Sequence, residues 1–179
     1  MKPIFAVAFC LLILSIAPAS LFAKGWTLKI GVKGAGLTTP LEITDPNVRE
    51  FGVWEGPGTF VNEVEGTSGF IIDWPKGIVA QIPDGLQRYE VAFYTGCLPD
   101  EFGCKTSEPS ISYVVSYAYD PSADQGYVYL PGPDDTAFRF NHVMWHGHGF
   151  EGHWLRATSA WENFVRPLLA KAKATALNR

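Results

Sequence analysis

The sequence predicts a mainly β domain: a predominantly antiparallel sheet structure, arranged as a sandwich, with one amphipathic helix at its C-terminal end. Three observations predict this fold class. Short segments with the period of a β-strand recur along the chain, between turns that draw on 18 glycines and 13 prolines. Charged residues make up only 18% of the chain, which argues against disorder. A helical period is found once, near the C-terminus.

Residues 1–23 have the anatomy of a secretory signal peptide. Lys2 gives a positive start, an apolar run covers residues 4–16, and Ala23 ends a small-residue cleavage site. The apolar run is too short to span a membrane. We therefore expect an exported protein, periplasmic or extracellular. Its mature part, residues 24–179, is expected to be a single β-rich globular domain without a transmembrane segment.

The first half of the mature chain contains several predicted strands. Residues 26–33 alternate between apolar and polar side chains, which predicts a strand with one buried face. Shorter strands are predicted at residues 41–44 and 51–54. Two apolar runs, residues 70–74 and 78–82, are separated by a proline and a glycine, and this spacing predicts a hairpin.

The second half contains the clearest strand patterns. A strand is predicted at residues 89–94. Residues 110–119 form the longest alternating run, and a turn rich in aspartate joins them to an apolar strand at residues 127–130. These two segments predict a second hairpin. Residues 138–144 predict one further strand before the chain becomes helical.

An amphipathic helix is predicted at about residues 159–176. Ser159 and Glu162 form a capping-box pattern, in which the serine caps a free backbone N–H and the glutamate reaches back. Apolar residues then recur at helical spacing and predict one stripe that packs on the sheet. The members of this stripe are Trp161, Phe164, Val165, Leu168, Leu169 and Ala172.

The charge of the chain limits its partners. The formal net charge is −4, and the sequence contains no stripe of basic residues. Such a protein is a poor candidate for binding nucleic acid. The expected partner is therefore an unknown small molecule or another protein.

Two cysteines follow the signal segment, Cys97 and Cys104. A pair of cysteines in an exported chain is interpreted first as a disulfide. The spacing does not fit a Cys-x-x-Cys redox motif. We therefore predict a structural bridge that closes a small loop.

All four histidines lie between His142 and His153. On a strand, His146 and His148 would point to the same side, about 6.5–7 Å apart along the chain. Glu151 or His153 would complete a ligand set from the glycine-rich turn that follows. This pattern predicts, as an alternative function, a metalloprotein that holds a divalent transition metal. The other interpretation is that these histidines lie on an exposed turn and bind no metal.

Aromatic residues form a second candidate surface. Trp145, Trp154, Tyr117 and Tyr127 are the side chains expected to face a ligand. Secreted β-domains that bind sugars use flat Trp and Tyr faces against pyranose rings. A carbohydrate-binding module is therefore a further alternative. The same tyrosines also fit a buried core with hydroxyls at its rim.

Segments along most of the mature chain share a resemblance to known proteins; they are residues 28–37, 42–46, 51–54, 152–154, 157–161 and 165–167. The chain resembles a family of small secreted bacterial proteins of unassigned function. This resemblance implies an exported globular protein and supplies no substrate, cofactor or catalytic residue. The sequence also lacks a nucleophile elbow and a zinc-protease motif. The predicted function is therefore non-enzymatic binding of a ligand or partner in the envelope or outside the cell.

Overall fold

A computed structural model of the chain describes six stretches of the sequence. They are residues 25–57, 59–61, 64–65, 70–98, 108–141 and 149–177. The predicted signal peptide lies outside them, as do Cys104 and three of the four histidines.

The described strands form one seven-stranded antiparallel sheet and one small hairpin. In chain order the strands are β1 (Trp26–Gly34), β2 (Leu41–Ile43), β3 (Phe60–Val61), β4 (Val64–Glu65), β5 (Ile78–Val79), β6 (Gln87–Gly96), β7 (Ser110–Tyr119), β8 (Tyr127–Leu130) and β9 (His153–Arg156). The sheet has the order β2-β1-β6-β7-β8-β9-β5, and β3 pairs with β4 alone. One helix, α1 (Ser159–Leu177), follows the last strand.

These elements confirm the predicted class, a mainly antiparallel β fold with one C-terminal helix. Among the described residues, the layer that packs on the large sheet is α1, and the remaining pair of strands is too small to form the second sheet of a sandwich. The sandwich therefore remains a prediction. Within the same residues, no helix combines the length and the apolar character that crossing a bilayer requires.

One face of the sheet, called the inner face, packs against α1. The strand register aligns one buried row across four strands, composed of Tyr89, Tyr117, Val128 and Leu155. From the helix, three fully buried side chains at intervals of four residues meet this face, namely Trp161, Val165 and Leu169. This confirms three positions of the predicted apolar stripe and places the hydrophobic core between α1 and the sheet.

A β-bulge interrupts the alternation predicted for β1. The pairing of β1 with β6 shifts register between Thr27 and Lys29, so that Leu28 is the extra residue. Before the bulge, the inward position is therefore Thr27, whose hydroxyl donates to the Phe51 carbonyl at 2.8 Å. Trp26, which strict alternation would bury, is 44% exposed.

The longest predicted strands are confirmed, and several short ones are wrong. β6, β7 and β8 contain the predicted strands at 89–94, 110–119 and 127–130, and β7 pairs with β8 as expected. Residues 51–54 are irregular rather than extended. The predicted hairpin of residues 70–74 and 78–82 does not form, because the proline between them lies in a 3-10 helix, Trp74–Lys76.

Tertiary pairing accounts for the missing hairpin and for the failure of one further short prediction. β5 pairs with β9 instead of with residues 70–74. Of the predicted strand at 138–144, residues 138–140 belong to a 3-10 helix, Thr136–Phe140, and residues 142–144 lie outside the described stretches.

The helix α1 begins as predicted but is capped differently. The Thr158 hydroxyl, rather than that of Ser159, accepts the Trp161 backbone N–H at 3.2 Å. Glu162 does not reach back toward the cap, since its carboxylate points into the core and accepts the Tyr117 hydroxyl at 2.7 Å. The predicted capping box is therefore replaced by a threonine cap and a buried glutamate.

Candidate functional site

The face of the sheet opposite α1, called the outer face, contains a groove. The register places Gly31, Ala92 and Val114 side by side on β1, β6 and β7. These short side chains form the floor of a cavity of about 530 Å³. Its lining extends to Glu42 on β2 and to the 3-10 helix Thr136–Phe140. We call this cavity the outer-face groove.

Tyr94 forms one wall of the outer-face groove. The tyrosine ring lies across Gly31, so closely that a Cβ atom at Gly31 would be 3.3 Å from the ring carbon Cε2. The Lys29 ammonium lies 4.2 Å from the centroid of the same ring, within the range of a cation–π interaction. The ring therefore contacts both a lysine and the glycine of the floor.

A second wall of the outer-face groove is the 3-10 helix Thr136–Phe140, which contributes Ala137 and Phe140. Two side chains anchor the ends of this helix. At its start, the Asp135 carboxylate accepts the Gly132 backbone N–H and the Tyr129 hydroxyl, each at 2.8 Å. The pKa of Tyr129 is raised, first by burial of its hydroxyl and second by the hydrogen bond that this hydroxyl donates to Asp135.

At the other end, the Asn141 side chain takes the place of a neighbouring strand. Among the described residues, β8 pairs with β7 only at residues 116–118, so the side of β7 that faces away from β6 has no strand partner at Val114. Asn141, which is 2% exposed, fills this position. Its Oδ1 accepts the Val114 N–H at 2.8 Å, and its Nδ2 donates to the Val114 carbonyl at 3.1 Å. These two bonds explain why the chain turns here instead of continuing as the predicted strand.

Four charged side chains line the outer-face groove, and most are neutralised by a neighbour. Lys33 and Glu90 form an ion pair at 2.8 Å. Glu42 pairs at 3.4 Å with Lys29, the lysine that lies over Tyr94. Arg139 is exposed, and its guanidinium lies 4.7 Å from the ring centroid of Phe140. The groove thus combines an apolar floor with a charged rim.

A buried polar cluster lies on the inner face, between the sheet and α1. Glu162 accepts hydrogen bonds from the Tyr117 hydroxyl and from Arg166. Arg166 also donates to the carbonyls of Ala123 and Asp124 in the turn between β7 and β8. Burial raises the pKa of Glu162 and of Tyr117. The cluster attaches α1 to the β7–β8 hairpin.

The structure places only two of the four predicted metal ligands, since His146 and His148 lie outside the described residues. His153 begins β9 and is exposed. Glu151 is half-buried. The pKa of Tyr113 is raised, first by burial of its own hydroxyl and second by the negative charge of Glu151. No group of three metal-binding side chains occurs among the residues that the structure describes. The metal site therefore remains a prediction.

The predicted aromatic surface is wrong at Tyr117. This side chain is fully buried, because Trp161 of α1 packs edge-on against it with ring centroids 5.8 Å apart. Trp154 lies on the outer face, 5.2 Å from Tyr129 and tilted by 44°, so the two rings do not form one flat platform. Tyr127 is half-buried on the same strand as Tyr129, and Trp145 lies outside the described residues. The predicted disulfide also stays a prediction, because Cys104 lies outside them.

No family model, no curated protein and no solved structure matches this chain. The resemblance to small secreted proteins therefore remains a prediction. The residues of the outer-face groove were not singled out from the sequence. Their only signal was weak: Gly31 and Ala92 are unusually small for the outward positions of long strands.

Proposed function

We propose that this chain is a non-enzymatic binding domain that acts after export and holds a small amphipathic ligand in the outer-face groove. The observation that supports the proposal is the groove itself. A cavity of about 530 Å³ falls in the size range of small-molecule sites, about 300–1,000 Å³. Its lining combines an apolar floor with polar and charged side chains that could orient a ligand.

The anchoring of the groove supports binding by a preformed site. Both ends of the Thr136–Phe140 wall are fixed by side-chain hydrogen bonds, through Asp135 and Asn141. The floor belongs to three adjacent strands of the sheet. A site built on such elements loses little conformational entropy when a ligand enters. The observation that supports the proposal is a shaped cavity. A cavity accounts for the binding of a ligand, and we therefore propose binding and not catalysis.

The test uses phenylnaphthylamine, a neutral apolar dye whose fluorescence rises when it leaves water. The mature protein is titrated with the dye, beside an Ala92→Leu variant that adds bulk to the groove floor. The control is Ala160→Leu, the same substitution at an exposed position of α1. We expect saturable binding in the wild type and the control, and a loss of about tenfold or more in affinity for Ala92→Leu.

Two results would contradict the proposal. One is the absence of saturable binding in the wild type. The other is equal dye affinity in wild type and Ala92→Leu, when both have the same melting temperature. The metalloprotein alternative has its own measurement, which is metal content by mass spectrometry on protein purified without chelators. Near-stoichiometric metal that is lost in a His146→Ala/His148→Ala variant would favour that alternative.

A further inference from the structure

Ion pairs neutralise most of the charged side chains around the outer-face groove, and one positive side chain stays without such a partner among the described residues. Lys33 lies 2.8 Å from Glu90, and Glu42 lies 3.4 Å from Lys29. Each carboxylate at the rim therefore has an ammonium beside it, and these two pairs contribute no net charge. Among the described residues, Arg139 has no carboxylate within ion-pair distance. Of the charged side chains that the structure describes around the groove, Arg139 is thus the one that no carboxylate neutralises.

The position of Arg139 suits recognition of an anion. It lies in the last turn of the 3-10 helix that forms one wall, directly before Phe140. Its guanidinium lies 4.7 Å from the Phe140 ring centroid, a contact that restricts the long side chain. A guanidinium presents several N–H donors in one plane, and it binds carboxylates and other oxyanions with two parallel hydrogen bonds. An arginine that is already oriented loses less entropy when it forms them.

The apolar part of the groove lies beside this cation. Phe140 is part of the same wall, and the ring of Tyr94 lies over Gly31 at the floor. Flat rings of this kind pack favourably against another ring or a short aliphatic chain. A ligand that joins an apolar body to one anionic group would therefore match both features of the groove.

We propose that the ligand of the outer-face groove is a small amphipathic anion, such as an aromatic carboxylate or sulfonate, and that Arg139 binds its anionic group. This inference rests on the proposed binding function. It adds the sign of the ligand's charge, the residue that recognises it and the surfaces that hold the apolar part.

The experiment compares two dyes of similar shape on the mature protein: anilinonaphthalene sulfonate, which is a monoanion, and neutral phenylnaphthylamine. Each is titrated into the wild type, Arg139→Gln and Arg49→Gln. Arg49 is a matched control, because it too is exposed and lies in the last turn of a 3-10 helix, Pro46–Glu50. Ala92→Leu, which blocks the floor, shows whether either dye binds in the groove.

We expect Arg139→Gln to weaken sulfonate binding about tenfold or more and to leave the affinity for the neutral dye within about twofold. Arg49→Gln should change neither affinity. Added salt should weaken binding of the sulfonate and not of the neutral dye, because only the charged contact is screened.

The other outcomes separate the two proposals. If both dyes bind with sensitivity to Ala92→Leu but Arg139→Gln changes neither, the groove binds ligands and the assignment of an anion is wrong. If Arg139→Gln weakens both dyes equally, Arg139 supports the wall rather than an anionic group, and the assignment is again wrong. If the wild type binds neither dye, the proposed function itself fails.

Discussion

Asn141→Asp tests the contact that holds the wall of the outer-face groove against the sheet. Asparagine and aspartate have nearly the same shape, so the substitution exchanges the donating NH2 group of the amide for an oxygen acceptor. In the wild type, Nδ2 donates to the Val114 carbonyl at 3.1 Å and Oδ1 accepts the Val114 N–H at 2.8 Å. In the variant, a carboxylate oxygen would face the carbonyl oxygen at a residue that is 2% exposed.

The expected loss of stability follows from these two atoms. Leaving a buried carbonyl without its partner costs about 1–3 kcal/mol, and confining a carboxylate beside it adds to that cost. We therefore expect Asn141→Asp to lower the free energy of unfolding by about 2–4 kcal/mol at neutral pH. For a domain of this size, the corresponding fall in melting temperature is about 5–15 °C.

The assay is guanidinium denaturation of the mature protein followed by tryptophan fluorescence. Asn47→Asp is the control, since Asn47 is exposed in a 3-10 helix and should change stability by less than about 0.5 kcal/mol. Acid should reduce the penalty at Asn141, because a protonated aspartate regains a donor. Equal stability of Asn141→Asp and wild type at neutral pH would refute the strand-like role of this side chain.

Three further predictions concern stability, and the same denaturation assay measures each. Trp161→Ala should cost about 3–5 kcal/mol, because the fully buried ring contacts Phe51 and Tyr117; a loss below about 1 kcal/mol would contradict the assigned core. Burial raises the pKa of Glu162 above its usual 4.5, so the stability linked to its protonated form is present below that pH and is lost as the pH rises. Glu162→Gln should therefore gain stability relative to wild type as the pH rises from about 4 to about 7, whereas the exposed control Glu50→Gln should show no such gain. Intact-mass measurement before and after reduction should detect the predicted bridge between Cys97 and Cys104, and replacing both with serine should cost about 2–3 kcal/mol.

The sequence was sufficient to predict the long elements of the fold. β7 and β8 were predicted with the bounds that the structure has, because their alternation persists over enough residues to exclude a helix. Short segments were predicted poorly, since their conformation depends on distant partners. Residues 138–140 are apolar enough for a strand, but the bonds of Asn141 to Val114 turn the chain into a 3-10 helix.

The candidate site was harder to predict than the fold. Its floor consists of Gly31, Ala92 and Val114, which come from three strands and meet only through the register of the sheet. Register depends on bulges and turn lengths, such as the shift between Thr27 and Lys29, and these are not apparent in a single sequence. The histidines could be proposed as metal ligands from their residue type and their close spacing in the sequence, whereas the residues of the groove are ordinary in type and distinctive only in position.

At the floor of the outer-face groove the side chains are smaller than on the inner face of the same strands, and Gly31 is the smallest of them. Gly31 lies between the fully buried Ile30 and Val32, and it does not have the positive φ that would require glycine. A glycine inside a strand costs about 0.5–1 kcal/mol relative to alanine. The close neighbour of its missing side chain is the Tyr94 ring, 3.3 Å from where a Cβ atom would lie. Gly31 is thus explained by the Tyr94 ring that packs over it, and this packing shapes the floor of the outer-face groove.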